Sequence, residues 1–338
     1  MPSLRDLGEF EVLRRLAAAR RPPAGTIVDA GDDAAVLRAE PGRDLVVTTD
    51  TQVEGVHFLP GWLAPDAQGA RLAAANLSDI AAMCAAPRWA LLSVGVRAEH
   101  EAESLLDLQR GLAAALGSDG AGIVGGNLTA VDGAEWFSLT LIGEAAPGAV
   151  WTRHGARPGD LLAVSGSPGR AGAGARLAAA LGEGARAPEW SPLLRAWREP
   201  VARVALARAL GEAGGVTAAI DISDGIGGDL ARICEASGVG AEIEEVAWPV
   251  DDALERAAAT LGVTLDSLRF GPSDDYELLL AIDPVARGSC AAVAGRLGVP
   301  LAFVGRFTEE PGVLEVRDAR GASRALEASG YDHFAGGR

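Results

Sequence analysis

The sequence predicts an α/β protein made of two domains of similar size. The first observation is the length of 338 residues, about twice that of a common domain. The second is the alternation of apolar runs of strand length with Ala-rich segments of helical spacing. The third is a stretch rich in Pro and Gly at 143–158, where we place the boundary between domains 1–147 and 148–338. Alternation of this kind is typical both of doubly wound parallel sheets and of α+β folds with mixed sheets.

The first half begins with an amphipathic helix over 9–20, which carries Phe10, Leu13 and Leu16 on one side and stops at Pro22. Apolar runs then predict four strands, at 44–51, 89–96, 121–124 and 136–143. Ala-rich segments between them predict helices near 66–84 and 99–116.

The second half repeats the pattern. Its predicted strands are 161–165, 216–222, 276–282 and 301–307. Its predicted helices are 171–181, 200–213, 227–237, 251–261 and 284–297. The repeated alternation supports two α/β halves.

The chain carries 30 Lys+Arg against 46 Asp+Glu, a formal net charge of −16, and every one of the cations is an arginine. The absence of lysine excludes the Walker-A phosphate loop, Schiff-base catalysis with pyridoxal phosphate and the common eukaryotic protein kinase, which all depend on it. The acidic balance argues against nucleic acid as a partner, because a phosphate backbone is bound by basic surface.

Targeting signals are not evident in the sequence. The three cysteines, Cys84, Cys234 and Cys290, lack the spacing of a zinc site or a disulfide framework. The first 21 residues contain no apolar signal core, and no run of about 18 apolar residues predicts a membrane helix. We therefore expect a soluble, cytoplasmic protein with no membrane partner.

Acidic residues stand at the ends of predicted strands and inside an apolar helix, where an unpaired carboxylate is costly. These positions are Asp32–Asp33 in a turn, Asp50 after Thr48 and Thr49, Asp79 in a helix, Asp221 and Asp224 at a strand-to-helix junction, and Asp274, Asp275 and Glu277 before a strand. A turn or a helix cap explains any one of them. Their recurrence at strand ends favours a ligand site, and oxygen donors without paired His or Cys indicate Mg²⁺ or Ca²⁺. The pattern predicts a polyphosphate site whose positive charge comes from metal ions.

Two glycine-rich segments fit the same interpretation. The segment GAGIVGGNLT at 120–129 predicts a turn whose backbone N–H groups bind an anion, although a tight entry into a strand has the same composition. The segment SGSPGRAGAG at 165–174 runs from a strand into a helix, the geometry of a phosphate site at a helix N-terminus, and a flexible loop explains it equally well.

Nine motifs follow one another along nearly the whole chain: GEFEVLRRL (8–16), GDDAAVL (31–37), TTDTQVEGVHF (48–58), NLSDIAAM (76–83), GGNLT (125–129), WTRHGARPGD (151–160), DISDGIGGDL (221–230), DDYELL (274–279) and GYDHF (330–334). In these motifs the chain resembles the thiamine-monophosphate kinases, a family of the aminoimidazole-ribonucleotide-synthetase-like superfamily. The GDDA, NLSD and DxSDG motifs are shared across the superfamily. The VHF, DYELL and YDHF segments point to the thiamine family.

The resemblance implies the two-domain fold of that superfamily and ATP-dependent phosphorylation of thiamine monophosphate to thiamine diphosphate, by direct in-line transfer through several Mg²⁺ ions. The implied metal ligands are Asp33, Thr48, Thr49, Asp50, Asp79, Asn127, Asp221 and Asp224. The implied nucleotide contacts are Gly126, Asn127, Arg153 and Ser223, and the implied thiamine contacts are His57, Asp274 and Tyr331. No general base is implied, since the attacking phosphate oxygen is already ionised at neutral pH. A homodimer formed through the N-terminal domain is also implied.

The chain departs from the family pattern at two places. Asn127 stands where many members have an aspartate, and PSDDYEL at 272–278 replaces GGEDYEL, so that Asp274 is one methylene shorter than the usual glutamate. Two other functions stay open at this point. One is another ATP-using reaction of the superfamily, such as that of aminoimidazole ribonucleotide synthetase, and the other is a catalytically silent nucleotide-binding regulator.

Overall fold

The computed structural model of the chain describes residues 1–29, 32–327 and 330. It divides into two compact units. The N-terminal unit is formed by Met1–Ile80 and Ala85–Val150, and the C-terminal unit by Ala81–Cys84 and the chain from Trp151 onward.

In its described residues, the N-terminal unit contains one four-stranded mixed sheet, a two-stranded ribbon and four helices. Its elements are α1 (Leu4–Leu7), α2 (Glu9–Ala18), β1 (Thr26–Val28), β2 (Val36–Leu37), β3 (Asp44–Val53), α3 (Pro65–Ala82), β4 (Ala86–Val96), α4 (Ala102–Ser118), β5 (Gly122–Ala130) and β6 (Trp136–Ala145). The sheet has the order β3-β6-β4-β5, in which β4 and β5 are parallel and the other pairs are antiparallel. Strands β1 and β2 form the ribbon.

One face of this sheet is covered and the other is open. Strand β6 alternates buried Phe137, Leu139 and Leu141 with the less buried Ser138 and Thr140, as expected for a sheet with a single covered face. Helices α3 and α4 approach each other closely at two glycines. A Cβ at Gly69 would lie 1.9 Å from the Leu108 carbonyl oxygen, and one at Gly111 would lie 1.9 Å from that of Asp66.

The C-terminal unit contains a seven-stranded mixed sheet of order β13-β12-β9-β11-β7-β10-β8. Its elements are β7 (Leu161–Ser165), α5 (Arg170–Leu181), α6 (Ser191–Arg198), α7 (Val204–Ala213), β8 (Val216–Ile222), α8 (Ile226–Ser237), β9 (Gly240–Glu244), α9 (Asp252–Leu261), α10 (Leu265–Arg269), β10 (Glu277–Ile282), α11 (Arg287–Arg296), β11 (Leu301–Thr308), β12 (Leu314–Arg317) and β13 (Ser323–Ala325). All pairs are antiparallel except β9 with β12.

The mixed α/β fold class predicted from the sequence is confirmed, and both sheets are of the mixed type. Strand β10 lies inside the sheet between β7 and β8 and is buried at all six positions, as expected for a strand whose two faces are both covered. The hydrophobic core around it includes Leu162, Ile220 and Phe307. Among the described residues, no helix is both long and apolar enough to cross a membrane.

Candidate active site

Strand β3 carries the first group of predicted ligands. In the register of β3 with β6, Thr48 opposes Leu141 and Asp50 opposes Leu139, so both face the covered side of the sheet. The hydroxyl of Thr48 donates to Oδ2 of Asp79 on α3, at 2.5 Å. The structure therefore brings Thr48, Asp50 and Asp79 to one face of the N-terminal unit.

Thr49 lies on the other face of the same strand. Its hydroxyl donates to the Leu139 carbonyl oxygen at 3.1 Å and accepts from the hydroxyl of Thr140 at 3.2 Å. Because successive side chains of a strand alternate between faces, the Thr49 side chain cannot join those of Thr48 and Asp50.

The oxygen chemistry beside Asp79 fits a hard cation. Asn76, three residues before Asp79 and on the same side of α3, is fully buried. Its Nδ2 donates to the Leu72 carbonyl oxygen at 3.0 Å, while its Oδ1 has no hydrogen-bond partner. Hydroxyl, carboxylate and amide oxygens are the donors that Mg²⁺ prefers.

No group of three His, Cys, Asp or Glu side chains converges within residues 1–29, 32–327 and 330. The predicted acidic ligands are divided between the units: Asp33, Asp50 and Asp79 are N-terminal, whereas Asp221 and Asp224 are C-terminal. Asp33 is exposed, and its N–H donates to Oδ1 of Asp32 at 2.9 Å, a local arrangement typical of a turn.

His57 lies in the turn that follows β3, and it is exposed. Its ring Nδ1 accepts a hydrogen bond of 3.1 Å from the Val53 N–H. The backbone N–H of His57 donates to the Val53 carbonyl oxygen at 2.9 Å. A ring nitrogen that accepts a hydrogen bond carries no proton, so the neutral ring holds its proton on Nε2. The imidazole therefore presents a donor at Nε2.

The GGNLT segment forms part of β5 rather than the anion-binding turn that its glycines suggest. Gly126 pairs with Leu92 of β4, and a Cβ on Gly126 would lie 1.8 Å from the Leu92 carbonyl oxygen. The close approach of the two strands thus requires glycine at this position.

Asn127 is distant from the Thr48–Asp79 group. It shares a row of the open face with Thr51, Ser138 and Ser93, as the three strand registers show. Strands β3 and β5 form opposite edges of the sheet, about 14 Å apart at the usual strand spacing. Within one N-terminal unit, Asn127 and Asp50 therefore occupy different edges and different faces.

The C-terminal unit gathers a second group of predicted residues. Strands β8 and β10 are antiparallel, with Ile222 opposite Glu277 and Asp221 opposite Leu278, so the end of β8 meets the beginning of β10. Asp221 is 5% exposed, and Ser223 and Asp224 follow in the turn before α8. Asp274 lies exposed before β10, at this same end of the strand pair.

Asp229 organises the turn between β8 and α8, and our sequence interpretation did not include it. Its buried Oδ2 accepts hydrogen bonds from the N–H groups of Ser223, at 3.1 Å, and Asp224, at 3.2 Å. Burial raises the pKa of Asp229 to about 6, against the opposing effect of Arg232, which pairs with it at 2.6 Å. Arg232 also pairs with Asp224 at 2.5 Å. An acidic residue among apolar neighbours in the first turn of α8 was the available signal.

Arg153 and Tyr331 are the remaining predicted contacts. Arg153 is exposed, and its carbonyl oxygen accepts from the hydroxyl of Ser237 at 2.9 Å. Tyr331 lies outside the described residues. Gly330, just before it, is close to the β8–α8 turn, since a Cβ added there would lie 3.2 Å from the Cβ of Asp224.

Comparisons with known proteins cover both units. The AIR synthase related protein family matches twice, its N-terminal domain at residues 31–145 and its C-terminal domain at 157–317. The thiamine-monophosphate kinase of Escherichia coli O157:H7 is 34% identical over 338 residues, which cover 97% of this chain and 98% of that protein.

Solved structures show the same similarity. The thiamine-monophosphate kinase of Stenotrophomonas maltophilia K279a has a TM-score of 0.80 at 29% identity, over 95% of this chain and 98% of that one. AaThiL complexed with AMPPCP and TMP has a TM-score of 0.76 at 27% identity, over 99% of both chains.

Proposed function

The chain belongs to the thiamine-monophosphate kinase family, and we propose that it transfers the γ-phosphate of ATP to thiamine monophosphate, yielding thiamine diphosphate and ADP. The observation that carries the proposal is the similarity over 99% of the chain to AaThiL complexed with AMPPCP and TMP. The two ligands of that protein correspond to the two substrates of the proposed reaction, with AMPPCP in place of ATP.

We assign the metal-binding role to oxygen donors in both units. In the N-terminal unit they are Asp33, Thr48, Asp50 and Asp79, and in the C-terminal unit Asp221 and Asp224. The predicted ligands Thr49 and Asn127 are left out of this set, because their side chains lie on the open face of the sheet. These donors would hold several Mg²⁺ ions, whose positive charge would neutralise the phosphates during in-line transfer. The contact of Thr48 with Asp79 and the shared face of Asp50 support this assignment for three of the residues.

We assign nucleotide binding to Gly126, Asn127, Arg153 and Ser223, and thiamine binding to His57, Asp274 and Tyr331. The attacking phosphate oxygen is ionised at neutral pH, so the side chains have to position and neutralise rather than remove a proton. The turn held by Asp229 gives Ser223 and Asp224 a fixed backbone, which favours such positioning.

We further propose a homodimer formed through the N-terminal unit. The open face of its sheet exposes Val47 and Leu91, 60% and 37% exposed, beside Thr49, Thr140 and Ser93. An apolar and hydroxyl-bearing sheet face without a covering layer is the kind of surface that a second copy covers. The cytoplasm is the proposed location, and the free thiols of Cys84, Cys234 and Cys290 fit a reducing compartment.

The direct test is to incubate the purified chain with Mg-ATP and thiamine monophosphate and to quantify thiamine diphosphate. We expect product in the wild type and a loss of turnover by orders of magnitude in Asp50→Asn and Asp224→Asn. Asp44→Asn, an exposed position at the start of the same strand β3, is the matched control and keeps its rate. Nucleotide binding without product in the wild type would contradict the proposed activity, and wild-type rates in both variants would contradict the metal assignment.

A further inference from the structure

The segment 272–276 leads into β10, and its side chains alternate between exposed and buried from Pro272 to Asp275. Ser273 is 5% exposed and Asp275 is 8% exposed, whereas Asp274 between them is exposed. Tyr276, the last residue of the segment, has a φ of +52°, which is an uncommon conformation for a bulky residue. Strained backbone of this kind persists only where the surrounding structure enforces it.

Asp275 is held by the beginning of helix α5. Its Oδ2 accepts from the Gly169 N–H at 2.6 Å, and its Oδ1 accepts from the Ala171 N–H at 3.0 Å. Ser273 adds a third contact, since its hydroxyl oxygen accepts from the Gly172 N–H at 2.8 Å. The N–H groups that begin a helix have no partner within it, and a carboxylate satisfies them well.

This arrangement changes the interpretation of the glycine-rich segment 165–174. Its helix N-terminus, which by sequence is a possible phosphate site, already binds an internal carboxylate at the N–H groups of Gly169 and Ala171. Burial raises the pKa of Asp275 to about 6, while its bonds from these N–H groups and from Ser273 oppose that effect. Asp275 is therefore ionised at neutral pH.

The segment is also fixed on its other side, against the β8–α8 turn. The Tyr276 N–H donates to the Ile222 carbonyl oxygen at 2.8 Å, immediately before Ser223 and Asp224. A Cβ on Gly225 would lie 2.1 Å from the Gly271 carbonyl oxygen, so the turn and the chain before Pro272 are in direct contact. The position of Asp274 relative to Asp224 is thus determined by contacts on both sides.

We propose that Asp275, assisted by Ser273, is a positioning residue that holds Asp274 in place for the thiamine moiety of the substrate. The inference rests on the proposed function, in which Asp274 contacts thiamine. Asp275 acts through its neighbour, because its carboxylate is buried and both of its oxygens are bound by backbone N–H groups. Both of its oxygens accept from N–H groups, so an amide cannot replace it without placing an NH₂ group against one of them.

The test compares three variants of the full-length enzyme by steady-state kinetics: Asp275→Asn, Asp274→Asn and the control Asp160→Asn. Asp160 is a buried aspartate of the same unit that accepts from the Arg157 N–H at 2.9 Å, at the opposite end of β7. We expect Asp275→Asn to raise KM for thiamine monophosphate by ~10-fold or more, with kcat and KM for ATP changed by less than about threefold, because a displaced contact weakens only its own ligand. The control keeps both KM values.

Hydrogen exchange supplies a readout that is independent of catalysis. Asp275→Asn should accelerate exchange at Gly169 and Ala171, which lose an ionised acceptor, whereas Asp160→Asn should not. Should Asp275→Asn fail to fold, Ser273→Ala removes the bond from Gly172 and the hydroxyl bond to Asp275, keeps the Asp275 carboxylate on the Gly169 and Ala171 N–H groups, and is expected to raise the same KM to a smaller extent.

The outcomes separate the two hypotheses. Unchanged KM for thiamine monophosphate in Asp274→Asn would refute the assigned role of Asp274, and the positioning role with it. A raised KM in Asp274→Asn together with a normal KM in Asp275→Asn, despite faster exchange at Gly169, would overturn the positioning inference alone. Equal increases in both KM values would also overturn it, since they indicate a general loss of structure.

Discussion

The ion pair between Arg203 and Glu277 offers a quantitative test of what holds the C-terminal unit together. Glu277, the first residue of β10, has a side chain that is only 9% exposed, and it pairs with Nε and Nη2 of Arg203. Its Oε2 also accepts from the hydroxyl of Ser165 at 2.5 Å. Burial lowers the pKa of Arg203, but the hydrogen bonds and charge of Glu277 outweigh this effect and raise it.

Arg203→Met leaves a buried carboxylate with one neutral donor, and removing one partner of a buried pair costs about 3–5 kcal/mol in the free energy of unfolding. For a unit of this size the melting temperature should fall by roughly 6–20 °C. Adding Glu277→Gln removes the unpaired charge and keeps an acceptor for Ser165, so the double variant should recover most of that loss.

Calorimetry of the full chain measures the transition of the C-terminal unit in each variant. The matched control is Arg306→Met, because its partner Glu242 also pairs with Arg317 and keeps a counter-charge. We expect the control to lose less than about 1 kcal/mol. A comparably small loss in Arg203→Met, or no recovery in the double variant, would refute the reasoning.

Two further predictions concern the backbone and the pH dependence of stability. Gly126→Ala places a Cβ 1.8 Å from the Leu92 carbonyl oxygen and should lower the melting temperature of the N-terminal unit. The control Gly133→Ala, whose Cβ would meet nothing within 4 Å, should leave that temperature unchanged. Equal decreases in the two variants, measured by calorimetry, would contradict the close pairing of β4 with β5. The folded pKa of Asp275, about 6, lies above its ordinary value of 3.8, so this group contributes stability that is complete below about pH 4 and is lost as the pH rises through 6. The loss amounts to about 3 kcal/mol. Denaturant titrations from pH 4 to 7 should show this decrease in the free energy of unfolding in the wild type and not in Asp275→Asn. Identical dependence of that free energy on pH in the two proteins would contradict the role given to Asp275.

Much of the element order follows from local pattern. The amphipathic helix predicted at 9–20 is α2 (Glu9–Ala18), and the predicted strand 161–165 is β7. These segments have a clear apolar period and a Pro or Gly at their ends, which are properties of neighbouring residues. The short strands β12 and β13 were not predicted, since their pairing depends on partners elsewhere in the sheet.

For the predicted strand 121–124, the local pattern gives too short an element. Strand β5 continues to Ala130 through Gly125, Gly126 and Asn127, which by composition indicate a turn. Pairing with β4 leaves no room for a side chain at Gly126, and this steric demand is visible only when the two strands are placed side by side.

The sequence by itself determined which side chains are available, namely oxygen donors at strand ends and no lysine. It also determined the family, through motifs shared with thiamine-monophosphate kinases. Only the tertiary structure decided how these residues are used. In the structure Thr48 contacts Asp79, and Asn127 lies on the opposite face of the same sheet. The buried carboxylates of Asp229 and Asp275 accept hydrogen bonds from backbone N–H groups. The physical reason is that residue type and spacing are local properties, whereas the acceptor for the Gly169 N–H is supplied by a residue 106 positions later in the chain.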